Sequence, residues 1–245
     1  VFGFLGANGA GKTTTIRMLL DLVRPTSGTA SILGFDCQRQ GLEARRRIGY
    51  LPGEMPFYPE LSGAKYLRFL STLSDPPPSP ARVEFLLRRF DVSDLDLKRR
   101  MRDYSHGMKR KLGLIQALML DPPILILDEP TSGLDPLMIE AFSDTIDEVA
   151  RSGRTTVFLS SHILSEVDRT CGRIGLVRGG QLVAVRTLSE LRAAAPRRMT
   201  ITFSSTVNGD VPTLSNATLV TREPARWVLD VQGPMAELVQ HEIDH

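Results

Sequence analysis

The stretch GANGAGKT, residues 6–13, decides the fold of this chain. It follows a short apolar run, Val1–Leu5, and precedes apolar residues at helical spacing between Lys12 and Leu22. The pattern G-x-x-x-x-G-K-[ST] between a strand and a helix is typical of a loop whose backbone wraps a phosphate chain, while the helix N-terminus adds positive charge. We therefore predict a nucleotide phosphate site made of Gly6, Ala7, Asn8, Gly9, Ala10, Gly11, Lys12, Thr13 and Thr14.

A second apolar run, Ile124–Leu127, ends in two carboxylates, Asp128 and Glu129. Downstream of a phosphate loop, this pattern predicts that a buried strand delivers Asp128 to a Mg²⁺ ion, with the Thr13 hydroxyl as a further ligand. Glu129 is then placed to polarise the attacking water as general base. Lys12 would bridge the β- and γ-phosphates. No N-K-x-D guanine motif occurs in the chain, so the predicted cofactors are ATP and Mg²⁺.

The next predicted strand ends in Ser160-Ser161-His162. Ligands of parallel sheets bind at the carboxyl ends of the strands. We therefore expect His162 to sense the γ-phosphate rather than to serve as a structural side chain.

Strands alternate with helices between Ile124 and Val177, which predicts a parallel sheet. Two helical runs, Gly63–Leu73 and Ala81–Phe90, flank a proline-rich break, and short β-forming runs follow Pro196, before a last predicted helix at Pro234–His241. The predicted fold is an α/β P-loop NTPase of RecA-like type with a parallel-sheet core. We expect an ATPase domain at 1–195, a helical subdomain inserted at about 56–114, and a small β-rich extension at 196–245.

Composition excludes several other classes. The 245 residues are 42% apolar and 24% charged, which is typical of a globular protein and not of a disordered or collagen-like chain. A net charge of +2 does not favour nucleic acid as a partner. Cys37 and Cys171 lack metal-ligand spacing and are expected to be free thiols. No apolar run reaches membrane-spanning length and nothing at the N-terminus resembles a signal peptide, so we expect the chain in the cytoplasm. Because it starts on a strand without Met, we expect its beginning to be missing.

The segment DYSHGMKRK, residues 103–111, stands before a predicted helix and completes a resemblance to the ATPase subunit of ABC transporters over about residues 1–195. In that family a signature segment caps the ATP that the opposite subunit holds. The resemblance assigns this role to Ser105, His106 and Gly107. It also matches Asp135 to the family's D-loop, His162 to its switch histidine and Glu129 to its catalytic glutamate.

The chain departs from the family at two places. Gly53 occupies the position of a glutamine that contacts Mg²⁺ in the family, and His106 and Met108 replace the usual glycine and glutamine of the signature. These variants and the C-terminal extension resemble daunorubicin-resistance-like exporters of the ABC-2 type. The family's adenine-stacking aromatic residue would fall before Val1.

The resemblance implies an ATP-hydrolysing subunit that drives a separate membrane permease from the cytoplasmic face of the membrane. We expect this transporter to be an exporter. A second ATPase subunit, identical or closely related, would complete each ATP site. A soluble ABC ATPase acting on nucleic acid or ribosomes and a weakly hydrolysing regulatory subunit remain alternatives. The basic residues between Lys98 and Lys111 are interpreted as a solvated or interfacial face, and part of Met55–Tyr58 as a permease contact.

Overall fold

The computed structural model describes residues 1–55, 58–194, 197–205 and 217–231. Contacts divide the chain into two units, Val1–Arg186 and Thr187–His245. The sequence predicts a boundary at 195/196, where the composition changes. The helix Leu188–Ala194 is therefore predicted in the first domain, but by its contacts it belongs to the second unit. The assignment of 1–195 and 196–245 as functional domains remains a proposal.

The first unit contains a six-stranded sheet and a two-stranded hairpin. In chain order its strands are β1 (Phe2–Leu5), β2 (Ser31–Ile32), β3 (Phe35–Asp36), β4 (Ile48–Leu51), β5 (Ile124–Asp128), β6 (Thr156–Ser161), β7 (Arg173–Arg178) and β8 (Gln181–Thr187). The large sheet has the order β4-β5-β6-β1-β7-β8. The pairs β4–β5, β5–β6, β6–β1 and β1–β7 are all parallel, as the alternation of strands and helices predicts.

Helices connect these strands and cover the sheet. They are α1 (Lys12–Leu19), α2 (Gly41–Arg45), α3 (Gly63–Thr72), α4 (Pro80–Arg89), α5 (Asp94–Lys98), α6 (His106–Leu118), α7 (Pro136–Arg151) and α8 (Leu164–Thr170). The helix α1 ends three residues before the predicted Leu22, because the chain turns there through Asp21 in the left-handed region, at φ 55°. The helices α3, α4 and α5 lie between β4 and β5 in the chain, where the helical insertion is predicted.

The core of the first unit forms around the middle of the sheet. Ile16 of α1 and Leu20, which follows the helix, are buried against Ile126 of β5, and Ile48 and Phe158 pack around them. A separate cluster joins Phe4 and Ala10 to Val177 and extends to Phe2 and Phe158. The predicted α/β fold with a parallel-sheet core is confirmed.

Gly49 allows α6 to approach β4 closely. A Cβ atom at this position would lie 2.7 Å from Pro122 Cγ and closer still to the carbonyl oxygen of Ala117. Main-chain atoms cannot move away as an exposed side chain can. The absence of a side chain at Gly49 therefore sets the distance between the sheet and α6.

The second unit is described by itself. The helix α9 (Leu188–Ala194) precedes a three-stranded antiparallel sheet, β10-β11-β9, whose strands are β9 (Arg197–Thr202), β10 (Ala217–Glu223) and β11 (Arg226–Val231). Trp227, Leu229 and Val231 form its buried cluster, and Phe203 packs edge-on against Trp227 at 4.8 Å between ring centroids. The predicted helix Pro234–His241 lies outside the described residues. No helix in the described part of the chain has the length and hydropathy needed to cross a membrane.

We predict that Gly49→Ala destabilises the protein by about 1–3 kcal/mol, the usual effect of adding a methyl group to a packed contact. Gly172→Ala is the matched control, because a Cβ atom there meets nothing within 4 Å. Denaturant unfolding of both variants checks the prediction. Equal free energies of unfolding for the two would show that the approach of α6 to β4 does not depend on Gly49.

Candidate functional site

Three neighbouring parallel strands end at one edge of the sheet. Leu5 of β1 pairs with Ser161 of β6, and Ser160 of β6 pairs with Asp128 of β5. Because parallel strands deliver their carboxyl ends to the same edge, the segments that follow them meet there. This register brings together the phosphate loop after β1, the two carboxylates at the end of β5, and the serine–histidine pair after β6.

The phosphate loop folds through left-handed turns at two glycines. Gly9 has φ 79° and Gly11 has φ 101°, a region in which other residues are strained. The Gly6 N–H donates to Ser161 O at 3.2 Å, and this bond ties the loop to β6. Within the loop the residues Ala7, Asn8 and Gly9 are exposed and Ala10 is buried; Thr13 is half-buried and Thr14 is exposed, both in the first turn of α1.

Lys12 is the first residue of α1 and only 5% exposed. Its Nζ donates to Gly6 O at 2.8 Å and to Ala7 O at 3.3 Å, and it lies 3.1 Å from Glu129 Oε1. The ammonium group therefore sits inside the curve of the phosphate loop. It is held there by two main-chain carbonyls and one carboxylate.

Asp128 is fully buried at the end of β5. Its Oδ1 accepts a hydrogen bond from Ser160 Oγ at 2.5 Å, whereas its Oδ2 has no hydrogen-bond partner among the described residues. A buried acceptor without a partner is unfavourable, so it indicates a missing ligand. A Cβ atom at Gly53 would lie 3.2 Å from Oδ2, which places this glycine next to the unpaired oxygen.

These residues fit a magnesium ion. Mg²⁺ prefers oxygen ligands and is commonly held by one or two carboxylates together with substrate phosphates. The unpaired Asp128 Oδ2 is such a ligand, and the Thr13 hydroxyl in the first turn of α1 is the same type of donor. No cluster of three or more His, Cys, Asp or Glu side chains suited to a metal occurs in the described part of the chain.

Glu129 adopts a left-handed backbone conformation, with φ 50°. Such a conformation costs about 1–3 kcal/mol in a residue other than glycine and persists only where surrounding contacts enforce it. The Glu129 N–H donates to Ser160 O at 3.2 Å and to Ser160 Oγ at 3.1 Å. The left-handed turn directs the carboxylate toward the phosphate loop, where Lys12 contacts it.

His162 contacts the other oxygen of the same carboxylate. Its Nδ1 lies 2.7 Å from Glu129 Oε2. An ionised carboxylate only accepts hydrogen bonds, so in a contact with ionised Glu129 the donor is Nδ1–H. The residues predicted for catalysis, Glu129 and His162, thus form one continuous contact chain with Lys12.

Ser105, His106 and Gly107 belong to a second cluster. The Ser105 hydroxyl caps α6 by accepting from the Met108 N–H at 3.2 Å. Any side chain at Gly133 would collide with the His106 ring, and a Cβ atom at Gly107 would lie 2.7 Å from Gly133 O. Asp135, two residues later, caps α7 by accepting from the Met138 N–H at 3.0 Å. The signature segment therefore packs against the D-loop segment of its own chain.

One buried residue of the site is missed by the sequence analysis. Arg110 is 1% exposed, although its basic neighbours predict a solvated or interfacial face, and for Arg110 that interpretation is wrong. Its guanidinium donates to main-chain carbonyls at the end of β5 and in the loop after β4. Burial lowers the pKa of Arg110 to about 10, against the opposing effect of the Asp128 and Glu129 carboxylates. Arg110 lies one turn after His106, on the same helix face as Leu114 and Leu118. This spacing is the sequence signal that the Arg110 side chain points inward.

Comparison with known proteins agrees with this geometry. The sequence profile of the ABC transporter family matches residues 1–132. The chain is 40% identical over 185 residues to the bacitracin transport ATP-binding protein BcrA of Bacillus licheniformis, covering 75% of this chain and 59% of that protein. It is 40% identical over 195 residues to the daunorubicin resistance ATP-binding protein DrrA3 of Streptomyces coeruleorubidus, covering 79% and 61%. The chain thus spans about three fifths of these two relatives.

Two further comparisons cover most of both chains. The ABC transporter ATP-binding protein NatA of Bacillus subtilis is 36% identical, with 78% of each chain covered. A solved structure of an ATP-binding subunit of an ABC transporter is 34% identical, with a TM-score of 0.67 over 78% of this chain and 80% of that one. With the phosphate loop, the buried Asp128 and the Glu129–His162 contact at one sheet edge, these similarities show that the chain belongs to the ABC transporter family, among its ATP-binding proteins.

Proposed function

We propose that this chain binds Mg²⁺·ATP at residues 6–14 and hydrolyses the γ-phosphate to drive a separate membrane permease. The observation that carries the proposal is the convergence of Lys12, Glu129 and His162 beside the unpaired Oδ2 of Asp128. Each of these groups has a defined task in phosphoryl transfer to water, which depends on positioning and charge neutralisation rather than covalent chemistry.

Binding of the phosphates requires Lys12 to change partners. In the structure its Nζ is held by Gly6 O, Ala7 O and Glu129 Oε1, all of which are oxygen acceptors. The β- and γ-phosphate oxygens would replace them within the same curve of the loop. This exchange releases the Glu129 carboxylate from its ion pair, so that it becomes available to a water molecule only when nucleotide is present.

Glu129 would then act as general base and His162 would orient it. The Nδ1–H of His162 holds Oε2, which leaves Oε1 to accept the proton of the attacking water. To donate to a γ-phosphate oxygen as well, the His162 ring would also have to carry a proton on Nε2, as imidazolium. Asp128 and Thr13 would hold Mg²⁺, which when bound neutralises charge on the β- and γ-phosphates.

A second ATPase subunit would complete the site, as an identical copy or a close relative. His106 and Gly107 pack against Gly133 of their own chain, and Ser105 caps the N-terminus of α6. Backbone N–H groups at a helix N-terminus favour a bound phosphate. We infer that this segment of one subunit covers the ATP in the phosphate loop of the other, so that nucleotide joins the two chains.

The names of two relatives support a permease partner and export. One of them is named for bacitracin transport and another for daunorubicin resistance. We therefore propose export, with the chain attached to the cytoplasmic side of the membrane through its permease. Nucleic acid is not an expected partner, since the net charge is only +2.

We predict that Glu129→Gln lowers the rate of ATP hydrolysis roughly 10²- to 10⁴-fold, the usual contribution of a general base, while ATP binding persists. Glu84→Gln is the matched control, because Glu84 forms an exposed ion pair with Arg88 on α4. Phosphate release and nucleotide affinity are measured for both variants. Hydrolysis by Glu129→Gln at the wild-type rate would contradict the role of Glu129.

Tight ATP binding by the wild-type protein with no turnover at any concentration would favour the regulatory subunit.

We also predict that Glu129→Gln changes from monomer to dimer when Mg²⁺·ATP is added, because unhydrolysed nucleotide keeps the two subunits joined. Light scattering with and without nucleotide measures the mass in solution. A mass that does not respond to ATP, despite confirmed binding, would contradict closure by the chain alone.

A pull-down with nucleic acid at two salt concentrations tests the remaining alternative. Contacts to phosphates weaken steeply with salt. We expect no retention at either concentration, and salt-sensitive retention would favour an ATPase that acts on nucleic acid.

A further inference from the structure

Arg110 is a charged residue on the buried face of α6. It is 1% exposed, and the helix residues Leu112, Leu114 and Ile115 near it are not exposed at all. A buried guanidinium is unfavourable unless its N–H groups are all engaged. In the described residues no carboxylate lies within ion-pair distance of it, so hydrogen bonds must satisfy the charge.

Among the described residues, all the acceptors of Arg110 are main-chain carbonyls, and they come from two segments. In the loop after β4, Nη1 donates to Pro52 O at 2.6 Å and to Gly53 O at 3.2 Å. At the end of β5, Nε donates to Pro130 O at 3.2 Å, and Nη2 donates to Asp128 O at 2.7 Å and also to Glu129 O. One planar group thus holds five carbonyls in a fixed arrangement.

The β5 contacts hold the backbone that carries the two carboxylates. The Glu129 N–H is held by Ser160 from β6, and the Glu129 carbonyl is held by Arg110 from α6. The left-handed conformation at Glu129, with φ 50°, lies between these two anchors. The hydrogen bonds to the N–H and to the carbonyl of Glu129 therefore fix the direction of its carboxylate together.

The β4 contacts hold the loop beside Asp128. Gly53 lies next to the unpaired Oδ2 of Asp128, with 3.2 Å to the position of a Cβ atom. Because Gly53 has no side chain to reach the carboxylate, only its backbone can define this wall of the site. Arg110 fixes that backbone and the Asp128 backbone with the same guanidinium group.

We propose that Arg110 is a positioning residue: it fixes the Asp128–Pro130 backbone and the Gly53 loop relative to each other and thereby orients both carboxylates for hydrolysis. Its effect on hydrolysis rests on the proposed function, whereas its effect on the backbone does not. Lysine at this position keeps the charge but has one compact ammonium group, which cannot span both segments as the planar fork does.

The first experiment compares Arg110→Lys with the wild type in the full chain. We expect the turnover number for ATP to fall roughly 10- to 100-fold, the size that a small misplacement of catalytic groups produces, while ATP affinity stays within about threefold. Lys111→Met is the matched control, because Lys111 is the next residue of α6 and pairs with Asp91 instead. The control should keep the wild-type turnover number. An unchanged turnover number in folded Arg110→Lys overturns the proposal.

The second experiment measures amide hydrogen exchange in the same proteins without nucleotide or metal. Arg110→Lys should accelerate exchange in peptides covering 51–55 and 128–133, and leave peptides of α4 and α8 unchanged. Faster exchange throughout the protein, with turnover and affinity falling together, would make Arg110 a general stability residue and overturn the positioning role. If the wild type does not hydrolyse ATP, the proposed function fails, and the exchange result alone decides on the backbone role.

Arg110→Gln is the second variant, in case Arg110→Lys does not fold. Its neutral amide can reach one segment only, so the same loss of turnover and the same local exchange are expected. If neither variant folds, Arg110 is required for folding and the positioning assignment is overturned.

Discussion

The parallel register of β5, β6 and β1 is the constraint on which the rest of the structure depends. It places Leu5 beside Ser161 and Ser160 beside Asp128, so the segments that follow the three strands meet at one edge. Helix α1, with Ile16 buried against the sheet, then holds Lys12 over that edge. A sheet with these strands in another order would contain the same residues without bringing them into contact.

The charged side chains at this edge contact one another. Lys12 and His162 contact the two oxygens of Glu129, and Ser160 contacts one oxygen of Asp128. The second Asp128 oxygen is the exception, since no described residue donates a hydrogen bond to it. In the proposed function a cation would pair with Asp128, while the phosphates would attract Lys12 away from Glu129.

Helix α6 links the two clusters of the site. Its first residues, His106 and Gly107, pack against Gly133, and one turn later Arg110 holds the backbone of Asp128 and Glu129. The segment that would contact a second subunit in the proposed dimer thus lies one helical turn before Arg110, which holds the backbone of the two acidic residues. Gly53 has no side chain to contribute to this loop, so its backbone defines the loop, and the same arginine holds that backbone.

The sequence by itself determined the strand–loop–helix of the phosphate site. It also determined that Asp128 and Glu129 follow one strand in succession and that His162 follows another. These features are local, because each depends on neighbours in the chain and on the periodicity of a single element. Only the tertiary structure decided the strand order, the left-handed turn at Glu129 and the division of the chain after Arg186. It also decided that Arg110 is buried although its basic neighbours suggest solvent, because residues far apart in the chain supply the carbonyls that satisfy it.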